Sequence, residues 1–177
     1  GTRLWPVSRE SMPKQFSRMV DDQSSTFQAT TCRVSDEKTF GRPIIITHVD
    51  ARFIVAEQLA QSGVAADIVL EPSRQDSAAA VAVAALCADK RDPETVVLIL
   101  AADHVIGDTE SFAQAVRDAA EGARQGAIMT LGVEPTRPAT DYGYIRRSAA
   151  PPGAENNFAV ARFVEQPDAA GAELPIV

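Results

Sequence analysis

"RPIIITHVDARFIVAEQLAQSGVAADIVLEP", residues 42–72, reads as strand, helix, strand, and that order decides the fold. "RPIIITH" (42–48) is a short apolar run rich in β-branched residues, the composition of a strand. In "DARFIVAEQLAQSG", Asp50 is placed to cap a helix and Gly63 to stop it. "ADIVLEP" (66–72) is a second strand, ended by proline. Working outward, the alternation continues. "DSAAAVAVAALCADK" (76–90) is an alanine-rich helix that Asp76 or Ser77 can cap, and "TVVLILAADH" (95–104) is a continuous apolar strand of the kind buried on both faces of a parallel sheet. "TESFAQAVRDAAEGARQG" (109–126) is a helix with Phe112, Ala115, Val116 and Ala119 on one face, and "AIMTLGV" (127–133) is a further strand. Such βα units imply a layered α/β fold with right-handed crossovers. From about residue 134 the pattern changes. "DYGYIRRS" and "NNFAVARFVEQPD" read as two antiparallel strands joined by the loop "AAPPGAE".

The chain has 177 residues, 45% hydrophobic and 23% charged, the size and composition of one globular domain. Its net charge of −7 argues against broad electrostatic binding to nucleic acid or to an anionic membrane. The longest apolar stretch, "AAAVAVAALCA" (78–88), falls well short of the about 20 residues that span a bilayer. Cys32 and Cys87 stand apart without metal-ligand spacing and read as reduced thiols of a cytoplasmic protein. Residue 1 sits in what reads as a loop after a strand, and "AGAELPIV" ends without a closing element. The expectation is a partial domain, lacking its first strand and its C-terminal part.

Against this acidic background the opening segment, "GTRLWPVSRESMPKQF" (1–16), is cationic. In doubly wound sheets, ligands sit outside the carboxyl ends of the strands. A glycine loop there lets backbone N–H groups approach phosphate oxygens, a role open to Gly1 and Thr2. Arg3 offers a planar fork and Lys14 a point charge, while Pro6 and Pro13 stiffen the segment. The Walker spacing is absent. On charge alone, a solvated terminus is the commoner use of such a stretch.

The string itself resembles the signature of the sugar-nucleotide pyrophosphorylases, G-x-G-T-R-L-W-P-L-S-R-x-x-x-P-K-Q-F, with Val7 replacing leucine. Its Trp-Pro and Pro-Lys-Gln-Phe elements look most like the mannose-1-phosphate guanylyltransferases, including isomerase-fused members. That resemblance implies a Rossmann-like nucleotide-diphospho-sugar transferase fold, with a mixed, mostly parallel sheet flanked by helices. It also implies transfer of GMP from GTP to mannose 1-phosphate in the cytoplasm, with Mg²⁺ as cofactor and a homodimer as a common assembly. By position, Arg3 and Lys14 are catalytic and hold the phosphates, with Gly1 and Thr2 on the nucleotide.

Four later motifs match in order. "LAADH" resembles the element whose aspartate, here Asp103, coordinates the metal; a turn-capping role for Asp103 stays open, and His104 reads as structural. "EPSRQDSAAA" (71–80) aligns with a nucleobase-pocket pattern and assigns Asp76 and Ser77 to the nucleotide, although Gln75 stands where arginine is common. "TDYGYI" (140–145) is similar to a sugar-facing element and assigns Tyr142 and Gly143, with Asp141 replacing glycine; one of Tyr142 and Tyr144 lines the pocket and the other packs. "FVEQP" (163–167) assigns Glu165 to sugar hydroxyls. Gln166 replaces a lysine that meets the sugar phosphate, so Arg146 or Arg147 would have to compensate. Two other readings fit the same residues: a hexose-1-phosphate nucleotidyltransferase using dTTP or UTP, and a non-catalytic subunit that binds sugar nucleotides.

Overall fold

A computed structural model of the protein describes residues 9, 12–18, 23–73, 77–148 and 157–165. The chain divides into two compact units, Gly1–Thr109 and Glu110–Val177.

In the first unit, Lys14–Phe16 forms a single 3₁₀ turn, followed by helix α1 (Thr26–Arg33), strand β1 (Ile44–His48), helix α2 (Arg52–Ser62), strand β2 (Asp67–Glu71) and helix α3 (Ser77–Asp89). β1 and β2 are parallel, with Ile45 opposite Ile68 and Thr47 opposite Leu70. Parallel neighbours need a crossover, and α2 supplies it, completing the βαβ unit expected from 42–72. Gly63 ends α2 in a left-handed conformation at φ 66°, where a Cβ would be strained. Asp50, expected as the helix cap, has another place. A short 3₁₀ turn, Val49–Ala51, precedes α2, and the His48 imidazole accepts from the Asp50 N–H at 3.3 Å. The tighter turn takes up the first residues of the predicted helix, so α2 begins at Arg52.

The core of this unit gathers Phe16, Phe27, Val55 and Leu59, with Ile45, Ile54, Val64, Ala66 and Ala102 packed around them. One α2 face supplies Val55 and Leu59, α1 supplies Phe27, and the 3₁₀ turn supplies Phe16. The Phe16 and Phe27 rings meet edge-on, centroids 5.5 Å apart. Three polar residues, Ser25, Gln28 and Gln58, are buried in the same unit and hydrogen-bonded to one another. Ser25 and Gln28 form a capping box at the start of α1. The Ser25 hydroxyl donates to Gln58 Oε1 at 2.6 Å, and Gln58 Nε2 donates to the Phe16 carbonyl at 2.8 Å. Gln28 Nε2 completes the set on the Gln58 carbonyl at 3.3 Å. On the surface, Asp67 at the start of β2 pairs with Arg42 at 3.0 Å and with Arg91.

The second unit holds most of helix α4 (Thr109–Arg124) and the strands β3 (Tyr144–Arg147) and β4 (Val160–Val164). These strands pair antiparallel, Tyr144 with Val164 and Ile145 with Phe163, as the changed pattern after residue 134 implied. Their connecting loop, 149–156, lies outside the described residues.

Two expected strands are not ladder strands. Over 95–100 exposure alternates, with Val96, Leu98 and Leu100 half-buried and Val97 and Ile99 exposed, which is the period of an extended chain. No described segment pairs with it. Apolarity specifies that a run packs against something; a strand also requires a neighbour in register. In 127–133 only Met129 is half-buried, its sulfur fitted against Gly122 of α4, while Ile128 is wholly exposed.

The buried Gln58 amide links three backbone segments, which gives a direct test. Gln58→Leu strands the Phe16 carbonyl and the Ser25 hydroxyl, and is expected to lower unfolding stability by about 1–3 kcal/mol in urea denaturation. A change below about 0.5 kcal/mol would show that the network carries no weight.

Candidate functional site

Lys14 owes its position to its neighbours in the chain. Arg9 and Met12 exchange backbone hydrogen bonds of 2.9 and 3.1 Å, Pro13 continues in extended backbone, and the 3₁₀ turn carries Lys14. Phe16, two residues on, is 6% exposed within the core. Its carbonyl is taken by Gln58 of α2, and the Gln15 carbonyl accepts from Thr26 Oγ1 of α1 at 3.4 Å. The turn is thus pinned from both helices, which leaves the Lys14 ammonium as its free end.

Asp103 is anchored in the same way, because its predecessor Ala102 packs on the same core cluster. The two side chains meet, with Lys14 Nζ 2.6 Å from Asp103 Oδ2 and side-chain exposures of 44% and 32%. The opening motif and the "LAADH" motif, distant in sequence, therefore converge on one ion pair. The hydrogen bond from Lys14 holds the Asp103 carboxyl below the ordinary carboxylate range; partial burial opposes this, while the Lys14 charge and His104 reinforce it.

That leaves a partly accessible, ionised, hard oxygen donor beside a cation. Such a carboxylate suits a divalent ion that brings its remaining ligands from water and phosphate. Among the described residues there is no cluster of three or more His, Cys, Asp or Glu side chains able to hold a metal. The donor set accordingly fits an ion shared with a ligand better than one caged by protein.

Ser77 is the first residue of α3 and is exposed. Gly1, Thr2, Arg3, Gln75, Asp76 and Gln166 lie outside the described residues. A cleft of about 470 Å³ lined by Ala29, Cys32, Arg33, Ile106 and Thr109 contains none of the residues assigned from the motifs.

In the second unit, the register that sets Tyr144 opposite Val164 puts Gly143 opposite Glu165. A Cβ built on Gly143 would lie 2.8 Å from Glu165 Oε2, so the carboxylate lies where only glycine leaves room. The "TDYGYI" and "FVEQP" motifs meet there. Tyr142, before the strand, is 65% exposed. Tyr144 is half-buried and its hydroxyl accepts from the Ala139 N–H at 2.7 Å. Residues two apart on a strand share a face, so the difference arises because β3 begins only at Tyr144. Arg147 stacks on Phe158, 4.6 Å from its ring centre. Arg146 stands exposed, in register with Arg162.

The residues that motif reading passed over are Ser25, Gln28 and Gln58. Ser25 and Gln28 carry a signal, the S-x-x-Q capping pattern. Gln58 carries none, because a glutamine on a helix normally faces water.

No helix among the described residues is long and apolar enough to cross a membrane.

Comparison with known proteins matches the Nucleotidyl transferase family to residues 1–174. The mannose-1-phosphate guanylyltransferase of Sinorhizobium fredii (strain NBRC 101917 / NGR234) is 44% identical over 169 residues, covering 94% of this chain and 32% of that protein. Xanthan biosynthesis protein XanB of Xanthomonas campestris pv. campestris (strain B100) is 46% identical over 174 residues, covering 98% of this chain and 36% of that protein. Among solved structures, the mannose-1-phosphate geranyltransferase from Thermus thermophilus matches with a TM-score of 0.80 and 32% identity, over 96% of this chain and 48% of that one. The chain thus spans about a third of the length of the curated relatives it matches.

The ion pair sets a pH dependence. Asp103 is more acidic folded than unfolded, so its contribution to stability is complete above the unfolded carboxylate range, about pH 4, and is lost as pH falls through the folded value. In Lys14→Met the Asp103 titration, followed by carboxyl ¹³C NMR, is expected to move up toward the ordinary range. An unmoved titration would separate the two side chains in solution.

Proposed function

This chain belongs to the Nucleotidyl transferase family, and from that premise we propose that it transfers GMP from GTP to mannose 1-phosphate, forming GDP-mannose and releasing pyrophosphate. The observation that supports the reading most is the Lys14–Asp103 pair, which brings the opening motif and the "LAADH" motif together at 2.6 Å. The choice of guanine and mannose rests on the names of the relatives and on the Trp-Pro and Pro-Lys-Gln-Phe elements of the opening segment.

In the proposed reaction a phosphate oxygen of the sugar phosphate attacks the α-phosphorus of GTP. The new P–O bond forms as the bond to the β-phosphate breaks, and pyrophosphate leaves with the electron pair. The attacking oxygen is already anionic, so no serine, cysteine or histidine base is needed. The protein has instead to align the reactants and to offset the charge spread over the phosphates. Lys14 and Arg3 supply positive charge toward the triphosphate, with Gly1, Thr2, Asp76 and Ser77 on the nucleotide. Asp103 would hold Mg²⁺, which when bound adds further charge neutralisation on phosphate oxygens. Tyr142 and Glu165 would hold the sugar, and Gly143 leaves the Glu165 carboxylate its space. Cytoplasmic location and a homodimer are parts of the same reading.

A second reading, a subunit that binds sugar nucleotides without turnover, is favoured by one sequence feature: the neutral Gln166 stands where the pattern that "FVEQP" resembles has lysine.

Pyrophosphate release by the full-length protein, measured with GTP, dTTP and UTP against mannose 1-phosphate, tests both. GTP is expected to be preferred, and Lys14→Ala to lower kcat/KM by about 10²–10³-fold. Binding of GDP-mannose with no pyrophosphate release would establish the second reading. Gly143→Ala is expected to raise KM for the sugar phosphate while shifting unfolding stability by less than about 1 kcal/mol, because the displaced group is the end of a flexible side chain. An unchanged KM would remove Glu165 from the sugar site.

A further inference from the structure

We propose that Arg146 of β3 and Arg162 of β4 form an anion site in the second unit, whose ligand is a dianionic phosphoryl group. The site lies beyond the functional reading above and does not depend on it.

The strand register is the first observation. Arg146 and Arg162 are direct partners in the antiparallel ladder, and both are exposed. Direct partners project from one face with Cβ atoms about 5 Å apart, and like charges so placed repel. The second observation is that no carboxylate offsets this. The chain has 24 acidic residues against 17 lysines and arginines. Elsewhere Arg42 and Arg91 share Asp67, and Arg124 meets Glu121. Among the described residues, neither Arg146 nor Arg162 has a carboxylate within ion-pair distance. Third, the register shifts between Arg146 and Arg147, and past the shift Arg147 lies over the Phe158 ring, 4.6 Å from its centre. Such irregularities re-aim side chains. Here the shift leaves two guanidiniums to act together, with a third cation next to them in the chain.

Alternation sets Arg146 and Arg162 on the face of Tyr144 and Val164, while Ile145 and Phe163 take the other. Continued by one step, that other face is the one of Gly143 and Glu165. The arginine pair stands three residues along the strands from them, about 10 Å. Arg146 is therefore turned away from Glu165, and its charge serves a different ligand.

The chemistry of the pair selects the ligand class. Each guanidinium is a planar fork that engages two oxygens. A carboxylate brings one charge and two oxygens, which a single fork satisfies. A terminal phosphoryl group brings close to two charges at neutral pH and three acceptor oxygens, so it occupies both forks and cancels their repulsion. Inorganic phosphate and a small organic phosphate present this same group.

The test is calorimetric titration of the full-length protein with inorganic phosphate, and in a second arm with glucose 6-phosphate. All titrations are made in a Lys14→Ala background, so that the candidate phosphate cation of the first unit does not contribute. Arg146→Gln and Arg162→Gln are each expected to weaken phosphate binding about five- to tenfold, the scale of one charge-assisted contact at an exposed site. Arg124→Gln, which removes an exposed arginine already paired with Glu121, should change it by less than about twofold. Phosphate should raise the melting temperature of the parent protein and leave that of the Arg146→Gln/Arg162→Gln variant unmoved. Without phosphate, Arg146→Gln is expected to melt no lower than the parent, because it relieves a like-charge contact. Tighter binding of glucose 6-phosphate than of phosphate, lost in the same variants, identifies an organic phosphate as the ligand; equal or weaker binding identifies the inorganic ion. Phosphate binding unchanged in both arginine variants, or weakened equally by Arg124→Gln, would overturn the site. A phosphate-free melt lowered by Arg146→Gln would make the pair a structural contact and overturn it as well.

Discussion

The hydrogen bond from the Gln58 amide to the Phe16 carbonyl is the constraint on which the candidate site depends. A side-chain donor buried on α2 fixes the end of a 3₁₀ turn whose other end carries Lys14. Phe16 completes the fixation by placing its ring among Phe27, Val55 and Leu59. Core packing and the candidate site therefore meet at this point. The hydrophobic effect holds the turn, a satisfied amide sets its orientation, and the charged group is left at the surface with little freedom to lose on binding. Because Ala102 docks on the same cluster, the opposing carboxylate is referenced to the same frame.

The electrostatics follow from that frame. A chain of net charge −7 does not attract polyanions in general, so an anionic ligand must be gripped by a few placed cations. In the proposed reading Lys14 is one of these, and it is paired with Asp103 beside it. The ion pair is half-exposed and contributes little to folding by itself. In the proposed reading its value lies in placement, with Lys14 toward the triphosphate and Asp103 toward the metal. The hairpin in the second unit repeats the pattern with different materials, using strand register and a missing Cβ to leave space for the Glu165 carboxylate.

Much of this was legible in the chain's letters. The βαβ unit over 42–72 was readable because its periodicities switch between extended and helical and Gly63 marks the stop. The family was readable because the motifs are long and ordered, and the ion pair brings two of them together. What escaped is physically of a different kind. The apolar runs at 95–104 and 127–133 look like strands locally, but pairing is a property of two segments, and one segment cannot announce its neighbour. Gln58 escaped because its role depends on a carbonyl in a distant turn. Asp50 was read as a cap because aspartate usually is one; the His48 imidazole, adjacent to the turn, serves that turn instead.

The central claim is that buried packing holds Lys14 where a triphosphate will meet it. A double-mutant cycle between Gln58→Ala and Lys14→Ala, read as the dissociation constant of a Mn²⁺–GTP analogue complex by calorimetry well below the unfolding temperature, tests it most directly. If Gln58 acts through Lys14, Gln58→Ala weakens binding by about tenfold, or about 1.4 kcal/mol, in the wild-type background and by almost nothing once Lys14 is alanine. Equal weakening in both backgrounds would contradict the claim, leaving Gln58 a core residue with no bearing on the site.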